Sequence, residues 1–274
     1  MKSYVASRSD AAEPFRFDRE RPTAELRRRL LELAEPQYRT FVGKFLPDAD
    51  RVLGVRVPAI RTLAREIARS CGADFLNAVL FDAATGASNK RNSCRLESYE
   101  ERIAVGLVVA ETEIDFDARL DAIAAFVPLI DSWAVCDVFS ASLKIPKSRR
   151  DEFWALLESC AASERPYEVR FAAVGTLTHF LEKTYVGAVL DRANRIAARR
   201  LGEYYVDMSL AWLVAEAFVR FPDATFNFLR NNDFDDFTFN KALQKISESR
   251  RVDDETKAEI RRLKRPRRAR RSDA

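Results

Sequence analysis

The chemistry of this chain concentrates in ten residues, Asp131-Ser-Trp-Ala-Val-Cys-Asp-Val-Phe-Ser140, which set an indole, Trp133, four residues before a carboxylate, Asp137. Four residues is about one helical turn, so both side chains point the same way. An indole face attracts cations, and a carboxylate stabilises neighbouring positive charge. One exposed turn of this kind therefore suits a substrate that carries or develops positive charge. The same residues also serve ordinary structure: a tryptophan on an apolar face packs into a core, and an aspartate near a helix start caps it or balances its dipole.

The surrounding composition decides which chemistries remain. With 274 residues, 47% hydrophobic and 32% charged, the chain can bury a full core in one or two domains. Its start, Met1 to Arg29, is charged and has no apolar signal core, and no run approaches the roughly 20 apolar residues of a membrane span. A cytoplasmic location and no membrane partner are the expectations. Cys71, Cys94, Cys136 and Cys160 are widely spaced, and the single histidine, His179, cannot build a His-based metal site or a Ser-His-Asp triad. No metal and no cofactor are expected. Cys136 adjoins Asp137 but has no neighbouring base, so it reads as a packed thiol.

The net charge of +4 is unevenly spread. Arg261, Arg262, Lys264, Arg265, Arg267, Arg268, Arg270 and Arg271 form an acid-free run, which leaves the rest of the chain slightly acidic. Such a run is either a phosphate-binding arm or a solvated end.

The elements that must position the Trp-Asp turn are helices. Glycine is scarce, with 8 residues, and apolar positions recur at three and four. Thr23 reads as an N-cap, and Pro36, Pro47, Gly54, Pro58, Gly72, Pro128, Pro146, Pro166, Gly187, Gly202 and Pro222 divide the rest of the chain into segments. Ile103 to Ala110 and Leu210 to Phe221 are apolar almost all round, as fits helices covered on several sides. Segments of this length suit antiparallel helix pairs stacked into an all-α, HEAT-like solenoid with a concave cleft able to grip an elongated partner; an unrepeated helical domain fits the composition too. The expected organisation is a loose arm over 1–22, the solenoid over 23–263 and a basic disordered tail over 264–274.

Several blocks, taken in order, resemble the AlkD-like DNA alkylation repair proteins, HEAT-like helical solenoids. They are Phe45-Leu-Pro, Gly54-Val-Arg-Val-Pro-Ala-Ile-Arg61, Tyr99-Glu-Glu-Arg-Ile-Ala-Val-Gly-Leu107 and Phe126-Val-Pro-Leu-Ile-Asp-Ser-Trp-Ala-Val-Cys-Asp137. Tyr167-Glu-Val-Arg-Phe171, Tyr204-Tyr-Val-Asp-Met-Ser-Leu-Ala-Trp212 and Thr238-Phe-Asn-Lys-Ala-Leu-Gln-Lys-Ile246 complete the set. The resemblance implies a glycosylase that hydrolyses the bond between deoxyribose and a cationic alkylated purine in duplex DNA, without flipping the base into a pocket. Alkylation already makes the base a good leaving group, so no general acid is needed. What remains is the oxocarbenium charge on the sugar, which a carboxylate stabilises or meets with a positioned water.

By this resemblance Asp137 falls on the family's catalytic carboxylate, Trp133 on its aromatic neighbour and Trp212 on the second indole of the cleft. Arg170 falls on an arginine that holds a DNA phosphate; its structural alternative is an ion pair with Glu168 or with a neighbouring helix. Arg56 and Arg61 around Pro58 are candidate phosphate contacts or partners in a helix-start ion pair. Lys241 and Lys245, one turn apart, are DNA contacts or a solvated face. Tyr99, Glu100 and Glu101 read as a first helical turn whose acids balance the dipole. The chain departs from relatives at Asp207 and Ala215, where a basic residue is common, and each loss removes a possible phosphate contact. The partner implied is alkylated duplex DNA, bound by a monomer; the rival reading is a non-catalytic scaffold for nucleic acid or protein on the same fold.

Overall fold

A computed structural model describes residues 14–46, 49–81 and 95–266, and every regular element among them is helical. The α-helices are α1 (Ala24–Glu32), α2 (Pro36–Val42), α3 (Val57–Leu76), α4 (Tyr99–Glu111), α5 (Phe116–Phe126) and α6 (Trp133–Ser142). They continue as α7 (Arg150–Ala161), α8 (Pro166–Phe180), α9 (Val186–Ala198), α10 (Tyr204–Arg220), α11 (Pro222–Arg230), α12 (Asp236–Glu248) and α13 (Asp254–Arg262). Pro36, Pro58, Pro166 and Pro222 each occupy a first turn, where the missing N–H costs nothing. Ser98, Asp115, Ser132, Asp235 and Asp253 cap their helices by accepting from backbone amides. Thr23 does not: its backbone is already helical, and the hydroxyl makes no cap bond to α1.

From α4 onward the helices alternate between two layers. The even-numbered helices α4, α6, α8, α10 and α12 pack one on the next as a central row, and α5, α7, α9, α11 and α13 flank it. α3 extends the row against α4. This is the expected stack of helical hairpins. A central helix meets a neighbour on each side and a flanking helix behind, so it must be apolar over most of its circumference. α4 accordingly buries eleven of its thirteen residues, including all of Ile103 to Ala110, whereas α13 buries only Ile260. Packing around α4 is close enough that a Cβ on Gly106 would lie 2.9 Å from the Phe126 ring of α5 and 3.1 Å from Phe139 of α6.

The N-terminal part is joined to this row by two acids. Gly54, at φ +98°, turns the chain so that the amides of Leu53, Gly54 and Val55 all donate to the Glu100 carboxylate, at 3.0, 2.6 and 3.2 Å. Its left-handed turn also brings it close to the preceding helix, because a Cβ there would sit 2.6 Å from the Glu35 carbonyl. Glu101 closes a capping box with Ser98 and pairs with Arg27 of α1 at 2.7 Å. Both acids are fully buried. They are thus anchors between elements, a more demanding role than the dipole balance expected of them. Burial pushes the Glu100 carboxyl above its ordinary value, and the three amides pull it back.

Two boundaries differ from expectation. Residues 14–22 are docked rather than loose: the Phe15 amide donates to Glu66 at 2.7 Å, Phe15 is buried, and Phe15 and Phe17 each meet Phe75 of α3 edge-on at 6.2 Å. Two phenylalanines in a charged stretch are enough to hold it, since each buries a large apolar area. At the other end the chain is pinned through Arg265, whose backbone exchanges hydrogen bonds with Asn240 at 3.0 Å each way while its guanidinium lies 3.9 Å from the Phe239 ring. Residues 1–13, Cys94 and the remaining basic tail, 267–274, lie outside the described residues. Among the described residues no helix is long and apolar enough to cross a membrane.

Replacing Glu100 with alanine leaves three amides of the 53–55 turn without an acceptor, each costing about 1–3 kcal/mol when buried. Urea unfolding is expected to show a loss of at least about 3 kcal/mol; a loss under about 1 kcal/mol would mean that water replaces the carboxylate and that the turn is not an anchor.

Candidate active site

Ser132 starts α6 by accepting from the Val135 amide, which makes Trp133 the first helical residue and sets Asp137 one turn further on. Trp133 is half-buried against the core, and its indole N–H donates to the Phe45 carbonyl at 3.1 Å. That bond fixes the ring against the segment just after α2.

Asp137 faces Arg170 of α8. Arg170 Nη2 donates to both carboxylate oxygens at 2.9 Å and Nε to Oδ1 at 3.2 Å, while Nη1 donates to the Tyr205 carbonyl of α10 at 2.6 Å. One guanidinium therefore ties three successive central helices. The arginine side chain is only 6% exposed and the aspartate 24%. Arg170 thus does not stand open as a phosphate fork; its ion pair runs to a neighbouring helix, one of the two expected alternatives, while Glu168, the other, pairs with Arg165 at 2.9 Å. The planar fork explains this: it satisfies a carboxylate and a carbonyl at once, which the geometry of three adjacent helices presents.

Oδ1 of Asp137 receives two hydrogen bonds and Oδ2 one, so Oδ2 keeps an acceptor site for a water or a substrate atom. Burial pushes the Asp137 carboxyl above the ordinary aspartate value, and the Arg170 charge and hydrogen bonds pull it down. Behind it the Cys136 thiol is buried and pushed up to about 12, as a packed thiol should be. His179 makes a second tie between the same helices, with Nε2 donating to the Ser140 carbonyl at 2.9 Å. Its burial holds the imidazole below the ordinary histidine value.

Trp212 lies on α10 seven residues after Tyr205, two turns along the same face, partly buried against the core. No acceptor among the described residues meets its indole N–H. Trp133, Asp137 and Trp212 thus sit on α6 and α10, the helices that the Arg170 fork joins through α8.

The other candidates are more dispersed. Arg56 precedes α3, pairs with Glu35 at 2.9 Å and covers the Tyr38 ring at 4.5 Å, the helix-start ion pair that was its simpler reading. Arg61 donates to Ser142 at the end of α6 at 2.9 Å. Lys241 bonds Gln244 at 3.1 Å and stands 5.9 Å from the Phe237 ring, and Lys245 is half-buried in the last turn of α12. Ala215 is buried, so that position is part of the interior. Two features were missed by sequence reasoning. Tyr205 acts through its main-chain carbonyl, which no side-chain pattern reveals. Asp131, two residues before Trp133, gathers Arg51 at 3.1 Å and Arg102 at 3.2 Å; its place before the Ser132 cap was the only hint.

A cavity of about 890 Å³ opens between the ends of α3 and α4 and the start of α5, but its lining mixes Arg65, Arg119 and Lys144 with Glu111 and Glu113 and includes none of the candidate residues. Balanced charge without convergent chemistry does not make it the reaction site. The profile of the DNA alkylation repair enzyme family matches residues 26–246, from α1 through α12. The chain belongs to this family. No curated protein and no solved structure matches it. Membership makes this a DNA repair protein of an enzyme family.

Removing the guanidinium strands a partly buried carboxylate, and breaking such a pair costs about 3–5 kcal/mol. Arg170→Ala is expected to lose about that much in urea unfolding, with part of the loss recovered when Asp137→Asn is added. Strict additivity of the two changes would show that the pair does not hold the helices together.

Proposed function

We propose that this protein is a monofunctional DNA glycosylase that hydrolyses cationic N3- or N7-alkylpurines from duplex DNA and leaves an abasic site. The observation that supports the reading most is the Asp137 carboxylate, held in place by Arg170 with one Oδ2 acceptor site left over and an indole one turn before it. The alkylated base departs with its own positive charge neutralised by the bond electrons, so no proton donor is required. Charge then develops on the deoxyribose as an oxocarbenium ion. Asp137 stabilises that charge and accepts a hydrogen bond from the attacking water, whose oxygen bonds to the sugar carbon while its proton passes to solvent or the carboxylate. Trp133 and Trp212 offer indole faces to the cationic base and sugar. Arg170 acts as a positioning residue for Asp137. Arg56, Arg61, Lys241 and Lys245 are assigned to the surrounding duplex as phosphate contacts, with Arg56 and Arg61 exchanging their present partners for DNA.

A second reading is favoured by the same ion pair. Arg170 neutralises Asp137, so the pair attracts a cation less than a bare carboxylate would, and a purely structural clamp would look the same. On that reading the chain is a non-catalytic scaffold for DNA.

Release of free base from duplex containing 7-methylguanine separates the two. Wild-type protein is expected to release it, and Asp137→Asn, which removes the charge at nearly constant volume, to lose at least about 100-fold of the rate, the scale of one electrostatic group. Release by the variant at the wild-type rate removes Asp137 from the chemistry; no release by a folded, duplex-binding wild type selects the scaffold. The ionised carboxylate is the active form, so excision should rise with pH through an acid limb lying above 3.8, because burial raises the Asp137 value. That limb should be absent from the residual rate of Asp137→Asn; a limb unchanged in the variant belongs to another group. Trp212→Ala should also slow excision, and because the ring packs on the core it is expected to cost about 3 kcal/mol of stability, read by thermal unfolding in parallel.

A further inference from the structure

A line of aromatic rings leaves the Asp137 cluster and crosses the starts of three central helices. Tyr167, one turn before Arg170, stacks on Tyr205 at 6.0 Å and 28°; Tyr205 meets Tyr204 edge-on at 5.2 Å; Tyr204 meets Phe237 of α12 at 6.0 Å. The Lys241 ammonium ends the line, 5.9 Å from the Phe237 ring. The near end is continuous with the site, since the Tyr205 carbonyl is the one that receives Arg170. Tyr204 is 53% exposed, on a helix that buries nine of its residues, and no other large apolar side chain on the central row is exposed to that degree among the described residues. A core-forming pattern would bury these rings. Here they run across the row half-buried, with Tyr204 exposed.

We propose that Tyr167, Tyr205, Tyr204, Phe237 and Lys241 form a duplex-DNA contact surface that carries the strand from the reaction site toward α12. The inference rests on the reading of duplex DNA as substrate and extends it to residues that the reaction itself does not use. Ring faces pack on the apolar side of deoxyribose along the duplex backbone without regard to sequence, and the Lys241 ammonium donates to phosphate oxygens. Burial pushes the Tyr167 phenol up to about 12, so it is the neutral ring that faces Tyr205 at neutral pH. Asp235, two residues before Phe237, is engaged in capping α12 through the Phe237 and Thr238 amides. Asp236 and Asp207 stand close by in the chain, so charge is not what makes this surface attractive to DNA. The rings should supply affinity that salt does not screen, and only Lys241 should contribute counterion release.

The test is fluorescence anisotropy of full-length protein with a short undamaged duplex over a salt series. The Tyr204→Ala/Phe237→Ala double variant is expected to raise Kd about ten-fold or more at every salt concentration, with the log–log salt slope parallel to wild type. Lys241→Ala should instead flatten that slope by about one unit, and Tyr204→Phe, which keeps the ring, should bind within about two-fold of wild type. An unchanged Kd in the double variant, or a loss of binding that tracks a matching loss of folded protein in thermal unfolding, overturns the proposal. Binding to undamaged DNA is read without excision, so the two readings fail separately. A double variant that binds and excises like wild type removes the ladder and leaves the glycosylase; ladder-dependent binding by a wild type that releases no base does the reverse.

Discussion

One guanidinium ties α6, α8 and α10 at a fixed spacing. Arg170 reaches a carboxylate on α6 and a carbonyl on α10 from its place on α8. Apolar packing is tolerant of small slides, because dispersion is spread over many weak contacts. A fork with fixed donor directions is not. It sets where Trp133, Asp137 and Trp212 stand relative to one another, and His179 repeats the tie between α6 and α8 deeper in the row. The cost is a carboxylate taken partly out of water and partly neutralised. Such a cluster trades raw electrostatic strength for fixed geometry, which under the proposed glycosylase reading suits a leaving group that is already activated.

The same row explains the contrast between helices that are apolar all round and those with a single stripe. α4 and α10 are covered from three sides, while α13 needs only Ile260 to hold its place. That contrast was legible in the chain, since the runs Ile103 to Ala110 and Leu210 to Phe221 mark the row directly. So were the proline breaks, the Trp-Asp turn and the packed thiol of Cys136. They are local properties, written within a few residues.

What was not legible depends on contacts far apart in the chain. Nothing near Arg170 says that its partners are Asp137 and a main-chain carbonyl at Tyr205. Nothing near Glu100 announces that three amides some 46 residues earlier will converge on it. Thr23 has the residue type of a cap, but its backbone enters α1 already helical, so the hydroxyl has no cap to make. Phe15 and Phe17 sit among charges that suggest a solvated arm, yet two rings against Phe75 suffice to dock it. In each case residue type gave the menu of roles, and tertiary placement chose among them.

The bond from Trp133 to the Phe45 carbonyl links the helices tied by Arg170 to one of the least embedded segments among the described residues. α2 buries none of its residues, and the rings of Phe41 and Phe45, 5.4 Å apart, are more than half exposed. The indole is thus shared between a wall braced by three helices and a shelf that rests on its surroundings. Fewer packing contacts oppose a displacement of the shelf than of the carboxylate, which the arginine holds from α8. On the proposed reading, the side of the cluster lined by Trp133 is the one that gives way to a bulkier adduct, and the carboxylate is the one that does not.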